Sequence, residues 1–260
     1  AALLESISQF MAGRFLRARK SAQSALEKEA LLTEAGLDLD HAVVLRTLAH
    51  VMAAESAHAL QDRDVRQTHW DAALEAAKAA PAFESRTLSE GIQLRAARWL
   101  LDDRDAPASL ALLQALPSAT ARRMVAMRLQ LKAARLAGQP AQALETAVLL
   151  AKHRAFSPSV AQSLVSRLIL EWVASTHDAE GMQRVWKKLT PAQKLMPEVA
   201  AEAALRWLQL GGEPFQARQW LQAVIMPLLD TPTAWRDAVD MRFDQALEAS
   251  LADTQSQDAL

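Results

Sequence analysis

The chain has 260 residues, 51% of them apolar, with 29 basic against 30 acidic residues and no cysteine. Ala and Leu dominate the apolar set, while Tyr is absent and only 6 Phe are present, so the composition favours helices over a sheet. The balanced charge excludes a global field that attracts nucleic acid or membranes. The lack of cysteine excludes disulfides, Cys-ligated zinc, iron–sulfur clusters and thiol catalysis.

Helical patterning runs along almost the whole chain and is interrupted by short turn signals that contain Gly, Asp or Pro. Gly suits the residue after a helix, and Asp or Pro suits the start of the next one. In chain order the short turns lie at 12–14, 61–64, 102–105, 137–140, 176–178 and 210–214. Longer breaks alternate with them near 36–40, 80–83, 117–119, 157–158, 190–191 and 230–232. This alternation predicts stacked helical hairpins.

The segments that follow the short turns resemble one another. Gly13 is followed by Phe15, then Ala18, then the pair Ala25 and Leu26. A similar spacing recurs after three further turn residues, Asp103, Gly138 and Gly212, and is degraded near Gln61 and Asp178. Such self-similarity is typical of the turn and second helix of tetratricopeptide repeats, where small residues let two helices approach closely.

We therefore predict an all-α fold, a right-handed α-solenoid of about five to six irregular tetratricopeptide-like helical hairpins. The first helix of the second hairpin is expected at 40–60, and a C-terminal closing helix at 233–251. The helical-repeat domain is expected to span 1–252, followed by a polar, disordered tail at 253–260. The seven tryptophans are expected to pack between repeats, except Trp172, which the register places on the inner surface.

Two stretches of the chain carry a family resemblance. The first is the opening Phe10-Met11-Ala12-Gly13-Arg14-Phe15, which leads into Ala18 and the Ala25-Leu26 pair. The second is Trp186-Lys187-Lys188-Leu189-Thr190-Pro191, which leads through Pro197-Glu198-Val199 and Leu208 to Gly211-Gly212 and Ala217. Together they resemble the soluble portion of the HemY proteins, which are proteobacterial inner-membrane proteins encoded near porphyrin-synthesis genes.

The resemblance implies a location as well as a fold. It implies two transmembrane helices ahead of Ala1, a tetratricopeptide-like body on the cytoplasmic side, and an association with haem biosynthesis without an accepted enzymatic activity. The chain is accordingly expected to be a soluble fragment of a longer bacterial inner-membrane protein. The same family name is used for a flavin-dependent protoporphyrinogen oxidase, but that fold needs a strand followed by GxGxxG, a motif this sequence lacks.

No arrangement of residues in the sequence predicts catalysis or a resident metal. The six histidines, His41, His50, His58, His69, His153 and His177, include no pair at i, i+4, the spacing of a metal site on one helix. His58 is the best candidate for axial haem ligation, although a solvated or partly packed histidine is the simpler interpretation. Adjacent carboxylates such as Asp102 and Asp103 are expected to be caps and solvated charges. We therefore expect no enzyme, no metal and no cofactor, with haem or porphyrin left as an open alternative.

A candidate binding groove follows from the helical register. In helical-repeat solenoids the first helices of the hairpins line the concave face, where residues at i, i+4 and i+7 share a stripe. The register places Arg128, Lys132 and Arg135 in one such stripe, with Arg206 and Trp172 beside it. The equivalent stripe near Gln61 contains Glu55 and His58. The cations suit a carboxylate ligand, such as an acidic peptide, a C-terminal carboxylate or porphyrin propionates, and the alternative is a solvated helix face.

A second basic cluster lies near the start of the chain and consists of Arg14, Arg17, Arg19 and Lys20. If membrane helices precede Ala1, these side chains would lie close to anionic lipid. The alternative is ordinary surface charge. Other membrane contact is expected only through segments that are absent from this chain.

The leading functional prediction is a non-catalytic scaffold that binds other proteins, among them haem-biosynthesis enzymes, and not nucleic acid. The second is a tetrapyrrole-binding or carrier protein that uses the basic groove. A third, a small enzyme assembled from distant repeats, leaves no local sequence signal.

Overall fold

The structure is a computed structural model that describes residues 1–34, 42–80, 82–228, 245–246 and 248–249. These residues contain no strand, which confirms the all-α prediction for the described part of the chain. The helices are α1 (Ala2–Met11), α2 (Phe15–Glu34), α3 (Ala42–Ala59), α4 (Arg63–Lys78), α5 (Ala82–Asp102), α6 (Ala106–Gln114), α7 (Ser118–Ala121), α8 (Met124–Leu136), α9 (Pro140–Lys152), α10 (Pro158–Ala174), α11 (Ala179–Lys188), α12 (Pro191–Lys194), α13 (Pro197–Gln209) and α14 (Pro214–Leu228).

Several expectations fall outside these residues. The breaks near 36–40 and 230–232, the tail at 253–260, His41 and Trp235 all lie there, as does most of the closing helix expected at 233–251. The first helix of the second hairpin, expected at 40–60, is described over Ala42–Ala59. The right-handed solenoid and its tetratricopeptide-like repeats stay predictions.

The chain divides into two compact units, Ala1–Leu129 and Gln130–Leu260, with the boundary inside α8. In the first unit each helix from α1 to α6 packs against the next, and α3 also packs against α1 and α5. In the second unit α10 packs against α9 and α13, and α13 also packs against α11, α12 and α14. Neighbouring helices therefore pack as adjacent pairs within each unit. The single helical-repeat domain expected over 1–252 stays a prediction.

Five hairpin turns in the described residues end the first helix in the same way. After α1, the amide of Gly13 donates to Phe10 O at 2.9 Å and the amide of Arg14 donates to Gln9 O at 2.8 Å. This pair of bonds is the Schellman motif, which requires a left-handed residue just past the helix. At these five turns the left-handed residues are Gly13 (φ 72°), Gln61 (59°), Arg104 (65°), Gly138 (66°) and Gly211 (77°), and each carries the same two bonds. The same geometry also ends α9, where the left-handed residue is Arg154 (56°).

Small residues let the second helix of a hairpin approach the first. Ala18 and Ala143, each five residues after a left-handed glycine, are fully buried. At the third turn the sequence pattern indicated Ala108, but the left-handed residue is Arg104, and Ser109 takes the buried place. Its hydroxyl donates to Ala97 O at 2.7 Å, which satisfies a polar group that burial would otherwise penalise.

The second hairpin departs from this pattern, because the residue five positions after Gln61 is Arg66 instead of a small residue. Its side chain is partly buried and much larger than the methyl group of an alanine. It makes ionic and aromatic contacts instead. The degraded repeat that the sequence shows near Gln61 thus has a partly buried arginine where two other hairpins have a buried alanine.

Tryptophans pack against each other inside each unit. In the first, the rings of Trp70 and Trp99 meet edge to face with centroids 5.2 Å apart. In the second, Trp220 stacks on Trp186 at 4.3 Å and lies 5.5 Å from Trp207. Aromatic pairs at these separations add to the stabilisation that burial itself provides.

Candidate functional site

The exposed face of α8 carries two of the three predicted cations. Arg128 and Lys132 are exposed, and the apolar Val125 and Leu136, each 61% exposed, lie on the same face. Their spacing of three and four residues places all four within one stripe of the helix. The stripe thus combines positive charge with apolar surface.

Arg135, the third predicted cation, is not free. Its guanidinium pairs with Glu171 of α10, with N–O distances of 2.6 and 3.4 Å. Both side chains are 38% exposed, so the pair is near the surface and contributes modestly to stability. The pair fastens the end of α8 to α10 and removes one positive charge from the predicted stripe.

Trp172 and Arg206 both lie in the second unit and have different surroundings. Trp172 is partly buried, and the Lys188 ammonium lies 5.9 Å from its ring centroid, within the range of a cation–π contact. Arg206 donates to Thr176 O at 3.2 Å from Nε and 2.5 Å from a terminal nitrogen. It therefore holds the chain just after α10 and offers less of its charge to a ligand.

Glu55 and His58 belong to the first unit, where they surround Trp99. The Trp99 indole donates to Glu55 at 3.0 Å, and Arg95 also pairs with that carboxylate. The His58 ring stacks on Trp99 with centroids 5.7 Å apart. Trp99 is thus held by a carboxylate at its nitrogen and by an imidazole on its face.

Both nitrogens of His58 already have neighbours. Nδ1 lies 2.9 Å from Arg66, and Nε2 lies 3.4 Å from Asp102. Arg66 also pairs with Asp103 at 2.8 Å, and its guanidinium lies 5.9 Å from the Trp99 ring. A cleft of about 530 Å³ adjoins this network, lined by His58, Ala59, Gln61, Asp62, Arg63, Arg66, Asp102, Asp103 and Arg104. Asp102 and Asp103, expected to be solvated charges, are here the partners that tie α5 to α3 and α4.

The N-terminal basic cluster is partly engaged. Arg14, Arg17 and Lys20 are exposed, whereas Arg19 pairs with Asp62 at 2.9 Å. Asp62 also caps α4, because it accepts from the amide of Val65 at 3.3 Å. The cluster therefore contributes three exposed charges, and its role at a lipid surface stays a prediction.

A histidine pair lies between α3 and α4, and no local sequence pattern predicted it. His50 Nδ1 and His69 Nδ1 are 3.1 Å apart, and both side chains are partly buried. Burial, followed by the neighbouring His69, lowers the pKa of His50 to about 4. Burial and the charge of Arg19 lower the pKa of His69. The two residues are nineteen positions apart, so only the packing register of the hairpin could have predicted their contact.

An ion pair stands beside His50. Arg46 donates to both oxygens of Glu29, at 2.5 and 2.9 Å. The hydrogen bond from Arg46 is the main reason that the pKa of Glu29 is lowered, although burial acts in the opposite direction. The carboxylate of Glu29 is therefore ionised at neutral pH.

Among the described residues, no group of three or more His, Cys, Asp or Glu side chains is placed to hold a metal ion. In that same part of the chain no helix combines the length and the apolar character needed to cross a membrane.

Known protein families and curated proteins give no match to this chain: no family model matches it, and no curated sequence shows significant similarity.

Proposed function

We propose that this chain is a non-catalytic binding scaffold of helical hairpins that presents the exposed stripe of α8 to an acidic segment of a partner protein. The observation that carries the proposal is the composition of that stripe, Val125, Arg128, Lys132 and Leu136, with two exposed cations between two exposed apolar side chains. An acidic peptide with apolar residues complements both features. Charge would guide and orient the peptide, and apolar contact would add affinity.

The recurring hairpin supports the scaffold part of the proposal. Five hairpin turns share one backbone geometry and each is followed by a helix, which supports a repeated unit. Repeated helical units form extended surfaces suited to binding. The polar contacts around His58 and around Arg135 are satisfied within the protein, as structural contacts are.

The stripe can be tested with peptides of defined charge. Peptides selected from a random displayed library on the immobilised chain are expected to be acidic and to contain apolar residues. Fluorescence polarisation with a selected peptide then measures affinity. The double substitution Arg128→Glu/Lys132→Glu should weaken binding by about tenfold or more, because two attractions become repulsions, and each tenfold is about 1.4 kcal/mol.

A matched control carries the same change in net charge elsewhere. Lys152 and Lys187 are exposed cations on other helices, so Lys152→Glu/Lys187→Glu should leave the affinity almost unchanged. Equal affinity of wild type and the Arg128/Lys132 variant would reject the stripe, and so would an equal loss in both double variants.

A tetrapyrrole carrier is the second candidate, and one observation favours it. Trp172 provides an aromatic plane with the Lys188 ammonium over it. Glu171, the residue before Trp172, forms the ion pair with Arg135. A flat ligand with carboxylate groups would need to displace Glu171 and Lys188 to use this place. Titration with haem or a porphyrin, followed at the Soret band, separates the two candidates: a saturable shift lost in Trp172→Ala supports a carrier, and a weak nonspecific response supports the scaffold.

The link to haem biosynthesis rests on the resemblance to the HemY family. It makes haem-biosynthesis enzymes the first partners to test against the stripe, and it implies a location at the bacterial inner membrane for a longer protein that contains this chain. Both remain proposals, and the acidic-peptide test does not depend on either.

A further inference from the structure

The facing imidazoles of His50 and His69 lie at a separation that a single metal ion can bridge. The Nδ1 atoms are 3.1 Å apart, and the tilted rings have centroids 5.3 Å apart. Two Zn–N bonds of about 2.0–2.1 Å at a tetrahedral angle place their nitrogens roughly 3.3 Å apart. These separations are close enough that a small rotation of the rings brings both nitrogens to one ion.

We propose that His50 and His69 form a two-histidine site for a divalent transition metal of the class that prefers imidazole, namely Zn²⁺, Ni²⁺ or Cu²⁺. Each histidine lies within a helix, and α3 and α4 pack along their length, so the two donors are held in place before the ion arrives. Since no third His, Cys, Asp or Glu joins them among the described residues, water completes the coordination. We expect micromolar affinity, weaker than that of a four-ligand structural zinc site.

The two arginines whose charges act on the pair are each bound by a carboxylate, which reduces their repulsion of a cation. Arg46, whose charge acts on His50, is bound by Glu29, and Arg19, whose charge acts on His69, is bound by Asp62. Each guanidinium therefore has a carboxylate beside it. Both imidazoles are neutral at pH 7, so protons do not compete strongly with the metal for them.

The hydrogen bond between the two Nδ1 atoms must break before both atoms can bind the metal ion. In the absence of metal a single hydrogen lies between the two Nδ1 atoms, so one ring donates and the other accepts. Metal binding needs the tautomer in which both rings carry their hydrogen on Nε2 and both Nδ1 lone pairs face the ion. The hydrogen moves from Nδ1 to Nε2 of the donor ring, and the pair stays neutral.

Calorimetric titration of the tag-free chain with ZnCl₂ at neutral pH measures the stoichiometry and Kd. Wild type is expected to bind one Zn²⁺ at the pair. The substitutions His50→Gln and His69→Gln should each weaken that binding by about tenfold or more, because each removes one of two protein ligands. His153→Gln, an exposed histidine on the other unit, is the matched control and should leave the affinity unchanged. Thermal unfolding by circular dichroism verifies that the variants fold.

Two readouts on the wild-type protein do not depend on the folding of variants. With CuSO₄ as the probe, electron paramagnetic resonance should show hyperfine coupling to two imidazole nitrogens. Zn²⁺ should also protect His50 and His69, but not His153 and His177, from diethyl pyrocarbonate, as quantified by mass spectrometry. The proposal is overturned if Zn²⁺ shows no saturable binding at submillimolar concentration, if His153→Gln weakens binding as much as His50→Gln, or if all four histidines are modified equally with and without Zn²⁺.

Discussion

At the scale of single residues, Glu90 is a buried carboxylate whose burial is compensated by hydrogen bonds and ion pairs. It lies on α5, is only 5% exposed, and accepts from the Thr120 hydroxyl of α7 and from Arg86 Nε at 3.0 Å. Arg123 lies 3.5 Å away. The hydrogen bond from Thr120, followed by that from Arg86, lowers the pKa of Glu90 in spite of its burial. The ionised carboxylate thereby holds the short helix α7 on α5.

Glu90 gives a prediction about pH. Because its pKa is lower in the folded than in the unfolded chain, its contribution to stability is present above the ordinary pKa of glutamate and is lost as the pH falls through the folded value. We expect Glu90→Ala to reduce the free energy of unfolding by about 1–3 kcal/mol at pH 7, because Thr120 loses its buried partner. Urea unfolding should show the difference from wild type shrinking below about pH 4.5.

An exposed acidic residue serves as the control for Glu90. Glu180 pairs with Arg184 on the surface of α11 at 2.6 Å, and its side chain is 80% exposed. Glu180→Ala should change stability by less than about 0.5 kcal/mol. A similar loss in both variants, or a pH-independent loss in Glu90→Ala, would contradict the assigned role.

Position 212 requires a glycine because the Trp207 ring leaves no room there for a side chain. A Cβ built on Gly212 would overlap the Trp207 ring, whose indole nitrogen donates to Glu213 O at 2.9 Å. Gly212→Ala must displace that indole from Trp220, and we expect it to cost about 1–3 kcal/mol. Gly91→Ala is the contrast, because nothing lies within 4 Å of its Cβ position in the interior of α5. That change should stabilise by up to about 1 kcal/mol. Thermal unfolding followed by tryptophan fluorescence compares the two, and equal effects would show that Trp207 does not lie over Gly212.

At the scale of elements, the shared turn geometry predicts which substitutions stabilise the fold. Gln61 and Arg104 adopt left-handed backbone angles that cost a residue with a side chain about 1–2 kcal/mol. Both are exposed, so Gln61→Gly and Arg104→Gly lose no buried contact. Glycine loses more conformational entropy on folding than other residues, and this loss offsets part of the relieved strain. Each substitution is therefore expected to raise the free energy of unfolding by about 0.5–1 kcal/mol.

The reverse substitution tests the same turn from the other side. Gly138 has a left-handed backbone and open space around its Cβ position, so Gly138→Ala meets no steric overlap. It should still lower the free energy of unfolding by about 1 kcal/mol, because a residue with a Cβ is strained in the left-handed conformation. Chemical denaturation of the three variants provides the measurement. A loss of stability in both glycine substitutions would contradict the Schellman assignment.

The elements that the sequence predicted well are those with a local physical cause. Gly13, Gly138 and the Asp-rich turns mark helix ends and caps by their own chemistry, and the described helices break at those places. The four-residue helices α7 and α12 were not predicted, because they are too short for any periodicity and appeared only as the breaks at 117–119 and 190–191.

The predicted site shows the limit of the same reasoning. Arg128 and Lys132 are exposed as expected, since exposure follows from the helical face alone. Three contacts depend instead on how one helix is aligned with another: Arg135 with Glu171, Arg206 with Thr176 O, and His50 with His69. Side-chain contacts across packed helices leave no signature in the spacing of residues along one of them.

At the scale of the molecule, packing is local along the chain. Among the described helices of the first unit, α1 to α6 pack against their neighbours in sequence or against the next but one. In the second unit the helices from α9 to α14 do the same, except that α10 also packs against α13, three helices further along the chain. In helical-repeat proteins, the class that the sequence predicts for this chain, stability is close to a sum of terms from units and their neighbours. The effect of a local change is then largest in its surroundings and declines with distance along the chain.

Local packing predicts a confined response to a destabilising substitution. Hydrogen exchange measured by mass spectrometry on Glu90→Ala should show faster exchange in α5 and α7, which Glu90 joins, with protection in α13 and α14 unchanged. Gly212→Ala should show faster exchange in α13 and α14, to which Trp207 and Trp220 belong, with protection in α5 and α7 unchanged. If either variant accelerates exchange uniformly from α1 to α14, the chain unfolds as one cooperative body. The nearest-neighbour description would then be wrong for this protein, since a sum of local terms requires each loss of protection to stay near the altered residue.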